Sequence, residues 1–208
     1  RGPVASASAF EVGIGRSIEE YEAEARAARP APCSVIVADP PWSFSDRLPG
    51  KGRGAAKHYP CMTVSEIQRF PLPALADDCV LFLWCVSAMP EEALSVVRAW
   101  GFKPGKGELI WLKSKAPPKP QIGMGRILRS AHERCLIATR GRMPPAVRNV
   151  PSWFFAPRQE HSRKPDAFYS IVEALYPHGE RGSHVELFAR QRRPMWRQFG
   201  SAMERAHP

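Results

Sequence analysis

Paired metal-ligand cysteines, long apolar runs and an acidic balance are all missing from this chain of 208 residues. Its cysteines, Cys33, Cys61, Cys79, Cys85 and Cys135, show no C-x-x-C spacing, so no metal site is expected. Three of them sit in or beside apolar runs and read as core thiols in a reducing, intracellular compartment. No run of eighteen apolar residues occurs and no secretory leader pattern is visible, so no membrane contact and a cytoplasmic setting are expected. Internal repeats are absent too. Acids number 20 against 30 Lys and Arg, a formal net charge of +10, which favours a polyanionic partner over an acidic or neutral small molecule.

What is present is an alternation of strands and helices. Residues 1–33 are weakly patterned, although Ser17 to Arg29 suits a helix capped by Ser17 with Glu20 at its third position. Ser34 to Ala38 is a continuous apolar run, as in a parallel strand buried on both faces. Thr63 is placed to cap a short helix containing Ile67. The run Cys79 to Val86 is the strongest strand signal and is assigned to the sheet centre. Pro90 opens a helix whose apolar face is Leu94, Val97 and Trp100, ended by Gly101. Leu109 to Leu112 and Arg134 to Thr139 are further strands. Asp166 to Tyr176 is an amphipathic helix with Phe168, Ile171, Val172 and Leu175 on one face, and His184 to Ala189 is a closing strand. Between these lie three basic loops, 43–59, 113–129 and 141–151. Long loops of this kind usually serve as lids or binding segments. Gly123-Met124-Gly125 follows prolines rather than a strand, so it reads as loop flexibility and not as a phosphate-cradling turn. Alternation of this sort predicts an α/β fold with a doubly wound, mainly parallel sheet. The domain is expected over residues 34–202, with 203–208 as a tail.

The tetrapeptide Asp39-Pro40-Pro41-Trp42 falls where the first buried strand ends, the place at which open α/β sheets bind ligands. Each proline fixes its own φ and restricts its predecessor, which presets the carbonyls of Asp39 and Pro40. Those carbonyls and the Asp39 carboxylate suit an exocyclic amine, and Trp42 offers a stacking face. A plain proline-rich turn is the alternative.

Together with His161-Ser162-Arg163-Lys164-Pro165-Asp166 and Glu186-Leu187-Phe188-Ala189-Arg190, this block resembles, in order, the signature of the MT-A seventy family of S-adenosylmethionine-dependent N6-adenine methyltransferases. The resemblance runs from about Ser34 to Gly200 and implies a Rossmann-like methyltransferase fold in permuted order, with the catalytic block before the cofactor strand. It implies catalytic roles for Asp39, Pro40, Pro41 and Trp42. It also implies contacts to S-adenosylmethionine from Asp39, Lys164, Glu186, Phe188, Arg190 and Ser201. Lys164, next to a helix start, suits the methionine carboxylate, or is a solvated lysine. Glu186 is an acid in an apolar strand and needs a partner, such as ribose hydroxyls. The chain departs from its relatives at Gly200-Ser201-Ala202, where an Asn is common.

Nucleic acid is the expected substrate, contacted through Arg47, Lys51, Arg53 and Lys57 in one loop and Lys113, Lys115, Lys119, Arg126 and Arg129 in another. Arg192, Arg193 and Arg197 either join them or solvate the C-terminus. Tyr59 is either a second wall of the base pocket or a loop anchor. DNA is favoured over RNA, because the compact chain resembles bacterial and phage members. The alternatives are the same chemistry on RNA, a catalytically weak binding subunit, or an N4-cytosine or small-molecule enzyme. A homo- or heterodimer stays open.

Overall fold

A computed structural model describes residues 11–12, 16–17, 31–43, 61–117, 119–123, 127–159, 163–179 and 183–199. Two short strands, β1 (Glu11–Val12) and β2 (Arg16–Ser17), pair antiparallel near the start and were not anticipated. The rest of the helix expected up to Arg29 lies outside the described residues. The remaining strands are β3 (Cys33–Ala38), β4 (Leu75–Cys85), β5 (Glu108–Lys113), β6 (His132–Arg140), β7 (Trp153–Ala156), β8 (Ser183–Leu187) and β9 (Trp196–Phe199). They form one sheet in the order β7-β5-β6-β4-β3-β8-β9. Pairing is parallel everywhere except along β6, which runs against both of its neighbours.

The expected doubly wound α/β methyltransferase fold is therefore present, with β4 in the middle position. β6 runs against both β5 and β4, and β5 reaches it through residues 114–131, in which no helix occurs among the described residues. β8 and β9 are parallel yet linked by residues 188–195 alone. That short return uses two non-glycine residues with positive φ, Phe188 (60°) and Met195 (65°).

Helices cover both faces of the sheet. α1 (Val64–Gln68) begins with a reciprocal capping box in which the Thr63 hydroxyl accepts from Glu66 N–H, and the Glu66 carboxylate accepts from Thr63 N–H at 2.6 Å. With α2 (Pro90–Ala99) it packs Ile67, Ala93, Val96, Val97 and Trp100 on the face made by Ile36, Leu81 and Leu83. Sequence assigned Leu94 to this face, but Ala93 and Val96 take the buried positions and Leu94 is only partly covered. Alternate residues Val37, Phe82 and Trp84 point the other way, toward Phe168, Tyr169 and Val172 of α3 (Asp166–Leu175). Gly141 ends β6 at φ +63°, and a Cβ there would sit 2.2 Å from Asp78 Oδ1 and 2.4 Å from the Asp77 carbonyl, so no other residue fits.

Phe168 is fully buried against Phe82, Trp84 and Tyr169. Phe168→Ala is expected to cost about 3–5 kcal/mol. Urea denaturation followed by tryptophan fluorescence checks this, and a loss under about 1 kcal/mol would show that α3 does not seal this face.

Candidate active site on the carboxyl rim of the sheet

The chain leaves β3 toward β4 on one side and leaves β8 toward β9 on the other, so the two adjacent parallel strands diverge at their carboxyl ends. Divergence of this kind opens a crevice in doubly wound sheets. Asp39 stands on one lip of it, directly after β3, and Phe188 and Arg190 stand on the other, directly after β8. Because β6 is reversed, its first residues, including Glu133, reach the same rim, beside Lys113 at the end of β5.

These segments are joined by a chain of alternating charges. Lys164 Nζ lies 2.9 Å from Asp39 Oδ2 and 3.1 Å from Glu133 Oε2. Lys113 Nζ is 2.7 Å from Glu133 Oε1, and Arg190 is 3.4 Å from Asp39 Oδ2. The Lys164 side chain is 8% exposed, and its ammonium sits 5.0 Å over the Trp84 ring. Burial alone would lower this ammonium's pKa, but the carboxylates of Asp39 and Glu133 outweigh it and hold the group above its ordinary value. Glu133 shows the same contest. Burial raises it, and the two lysines override that and bring it down to about 2.

A second chain runs beside the first. Glu186 on β8 is buried, and its Oε1 accepts from the Tyr169 hydroxyl at 2.5 Å. Arg193 lies 3.6 Å over the Tyr169 ring and bonds Asp166 at 2.7 Å. Burial pushes the Glu186 carboxyl up to about 7, against the Tyr169 hydrogen bond and Arg193, which favour its charged form. The other oxygen, Oε2, is buried with no hydrogen-bond partner among the described residues. An orphaned buried acceptor costs about 1–3 kcal/mol until something donates to it, and the diol or ammonium of S-adenosylmethionine has the donors to do so. The residues present thus fit that cofactor.

Of the sequence expectations, an open Trp42 face and a Lys113 displayed for phosphates are corrected. Trp42 is not an open stacking face: it is 5% exposed, sits in the core beside Met62, and its indole N–H donates to the Trp84 carbonyl at 2.9 Å. Pro40 and Pro41 do fix the backbone, but the Pro40 carbonyl already accepts from Trp42 N–H and the Pro41 carbonyl from Met62 N–H. Lys164 does not stand free at the start of α3, since two acids hold it. Phe188 packs on Phe70, ring centroids 4.3 Å apart, on the face covered by α1 and α2. Lys113 is spent on Glu133 and is not displayed for phosphates. Arg193 and Arg197 are likewise engaged internally, Arg197 with the Ala31 carbonyl and the Ser183 hydroxyl. Lys115, Lys119, Arg129 and Arg192 are exposed as expected. Tyr59, Arg47, Lys51, Arg53, Lys57, Arg126, His161, Ser162 and Ser201 lie outside the described residues.

Glu133 was missed. It lies in a strand of mixed polarity, His132-Glu133-Arg134, where an acid looks like an ordinary surface residue. The apolar run of β8 does mark Glu186, but nothing local marks its partner Tyr169. Away from this site, a cavity of about 750 Å³ lined by Leu109, Thr139, Arg142, Met143 and Ile171 opens at the opposite rim and shares no residue with it.

The model of one protein family, MT-A70, matches residues 33–202, which is most of the chain. The chain belongs to the MT-A70 family. Among relatives, it is 32% identical over 160 residues to an N(6)-adenosine-methyltransferase MT-A70-like protein of Arabidopsis thaliana, covering 75% of this chain and 21% of that one. It is 30% identical over 180 residues to the human N(6)-adenosine-methyltransferase catalytic subunit METTL3, covering 84% and 29%. It is 28% identical over 185 residues to the type II methyltransferase M.MunI of Mycoplasma sp, covering 80% and 76%. The chain thus spans between a fifth and three tenths of these two eukaryotic relatives, and about three quarters of M.MunI. No helix among the described residues is long and apolar enough to cross a membrane.

Glu186 supplies the pH test of this MT-A70 site. A raised acid leaves stability untouched below its unfolded pKa near 4.5 and costs stability as pH rises through about 7, because only the unfolded chain ionises freely. Glu186→Gln removes that cost. The ligand-free variant is therefore expected to gain on the native protein between pH 4.5 and 7, reaching on the order of 3 kcal/mol above pH 7. Urea midpoints across pH 4–8 read this directly. A gap that does not change with pH would show that Glu186 is not held neutral.

Proposed function

We propose that this chain transfers a methyl group from S-adenosylmethionine to N6 of adenine in nucleic acid, with DNA the favoured polymer. The observation that supports it best is Asp39. A carboxylate on the carboxyl rim, directly after a buried strand and gripped by Lys164 and Arg190, faces the crevice that also holds the unpartnered oxygen of Glu186.

S-adenosylmethionine supplies, when bound, an electrophilic methyl group on a sulfonium. Glu186 Oε2 would accept from its ribose hydroxyls or ammonium. Lys164, with two of its three protons on acids, keeps one for a carboxylate, and Arg190 adds positive charge on the same lip. Lys164 and Arg190 both take Oδ2 of Asp39, which leaves the lone pairs of Oδ1 for an incoming amino group. The N6 lone pair is delocalised into the purine ring, and a hydrogen bond from the amine to Asp39 favours a pyramidal, more nucleophilic nitrogen. The nitrogen–carbon bond would form as the methyl–sulfur bond of the bound sulfonium breaks with its electron pair left on sulfur, and the amine would give up a proton to Asp39 or to water. The Asp39-Pro40-Pro41-Trp42 segment serves this role by rigidity. The buried Trp42, tied to Trp84, and the Pro41–Met62 bond hold the Asp39 backbone in place, and a base would lie against the prolines.

DNA is favoured by the match to the type II methyltransferase M.MunI, which extends over 80% of this chain. RNA is the second reading, favoured by the slightly higher identities to the N(6)-adenosine-methyltransferases.

Transfer of labelled methyl to matched DNA and RNA, followed by nucleoside digestion, tests the proposal. The expected product is N6-methyladenine from DNA, falling by about 100-fold or more in Asp39→Ala. Product from RNA alone would reverse the choice of polymer. Intact cofactor binding with no product on any polymer would overturn the reading.

A further inference from the structure

The loop between β5 and β6, residues 114–131, rises from the rim that carries the site. Its first residue follows Lys113, and its last precedes the strand holding Glu133, so both ends are fixed to the charge chain that includes Asp39. Its lower part is ordered by a ladder of bonds. Lys113 N–H donates to the Ala131 carbonyl at 2.8 Å, Gln121 N–H to the Lys113 carbonyl at 2.6 Å, and Gly123 N–H to the Ser130 carbonyl at 2.7 Å. Arg129 Nε then donates to the Gly123 carbonyl at 2.9 Å, and the Ser114 hydroxyl to the Lys119 carbonyl at 2.7 Å. A Cβ on Gly123 would meet the Ser130 carbonyl oxygen at 2.9 Å, so the two arms of the loop close tightly there.

Beyond that closure the loop presents two large aliphatic side chains to solvent, Ile127 at 94% exposed and Leu128 at 83%. Single exposed aliphatics are ordinary on protein surfaces. An adjacent pair at the head of a braced, projecting loop next to a crevice is not. The surroundings say what kind of partner it meets: Lys115, Lys119 and Arg129 are exposed in the same loop, which contains no Asp or Glu. A loop that carries exposed basic side chains along its length and an aliphatic pair beyond its closure suits a ligand with a phosphate exterior and an apolar, stacked interior.

We propose that Ile127 and Leu128 are an apolar wedge that enters the base stack of a duplex and fills the gap left when a target adenine turns out toward Asp39. This deepens the reading of the site as one that takes adenine in nucleic acid, and it rests on that reading. N6 of a paired adenine is engaged within the duplex, so the base must be extruded, and extrusion breaks two stacking contacts that the wedge replaces. Aliphatic side chains do this in proteins that kink DNA, with nearby cations holding the flanking phosphates. Here Arg129, Lys119 and Lys115 take that part.

The test uses the full chain and a variant carrying Ile127→Ser and Leu128→Ser together. Both residues are exposed, so folding is unaffected. Labelled-methyl incorporation is measured on unmethylated duplex DNA and on the same DNA as separated strands. The variant is expected to lose about tenfold or more on duplex and to stay within about twofold of native on single strands, where no base has to be extruded. Equal loss on both forms, or no loss on either, overturns the wedge and leaves methyl transfer standing. So does a native protein that methylates single strands or RNA but never duplex DNA. A fall in molecular mass of the variant by light scattering would assign the tip to a second copy of the chain and likewise overturn it. A native protein active on no polymer overturns the wedge and the underlying reading together.

Discussion

One buried ammonium organises this molecule. Lys164 is removed from water almost completely, and a lone cation in that position would be costly; it is tolerated because Asp39 and Glu133 grip it from two sides and the Trp84 ring lies beneath it. Each of those partners belongs to a different strand. The ammonium therefore ties the end of β3, the start of β6 and the middle strand β4 to the segment before α3. Removing one member of such a group leaves an uncompensated buried charge, a loss of about 3–5 kcal/mol in comparable cases. The reversal of β6 acquires a purpose in this light, because only a strand running backwards can deliver its first residues, and hence Glu133, to the rim where the parallel strands end.

The electrostatics follow from the count. Arg190, Asp39, Lys164, Glu133 and Lys113 alternate in sign and sum to one positive charge, so this chain is cationic although it carries two acids. Asp39 can accept a hydrogen bond from a weakly basic amine without the site as a whole repelling an anionic ligand. Glu186, a few residues along β8, is treated in the opposite way. Burial against a phenol, with no lysine in contact among the described residues, pushes it toward its neutral form.

Much of this was legible in the sequence where residues must be apolar regardless of partner. β3 and β4 announced themselves as unbroken buried runs, and Thr63, Pro90 and Pro165 marked helix starts by local chemistry alone. The edge strands β7 and β9 were not anticipated, because each is four residues long and pairs along one side only, which leaves no alternation for a pattern to follow. The site was half legible. Asp39, Lys164, Glu186 and Arg190 stand on the crevice, but their partners were invisible: a sequence shows that Lys113 is charged, not that Glu133 faces it. Trp42 shows the converse limit, an aromatic beside the crevice acid Asp39 that turned inward and serves as a strut.

The crevice draws on positions from Asp39 to Arg190, and of the neighbouring pairs in its charge chain only Lys113 and Glu133 belong to one stretch of chain, across β5 and β6. A site built this way has high contact order. The consecutive strands β5 and β6 can bring Lys113 to Glu133 by themselves, but Lys164, Asp39 and Arg190 gain their partners only after loop closure over most of the sheet, so no early hairpin or helix pair assembles the whole of it. During folding, Lys164, Asp39 and Glu133 stay hydrated and separate until β3, β6 and the segment before α3 meet, and the desolvation cost falls in that last step. The chemistry becomes available only to a chain that has completed its topology, so a partly folded chain would carry the signature residues without a functional crevice.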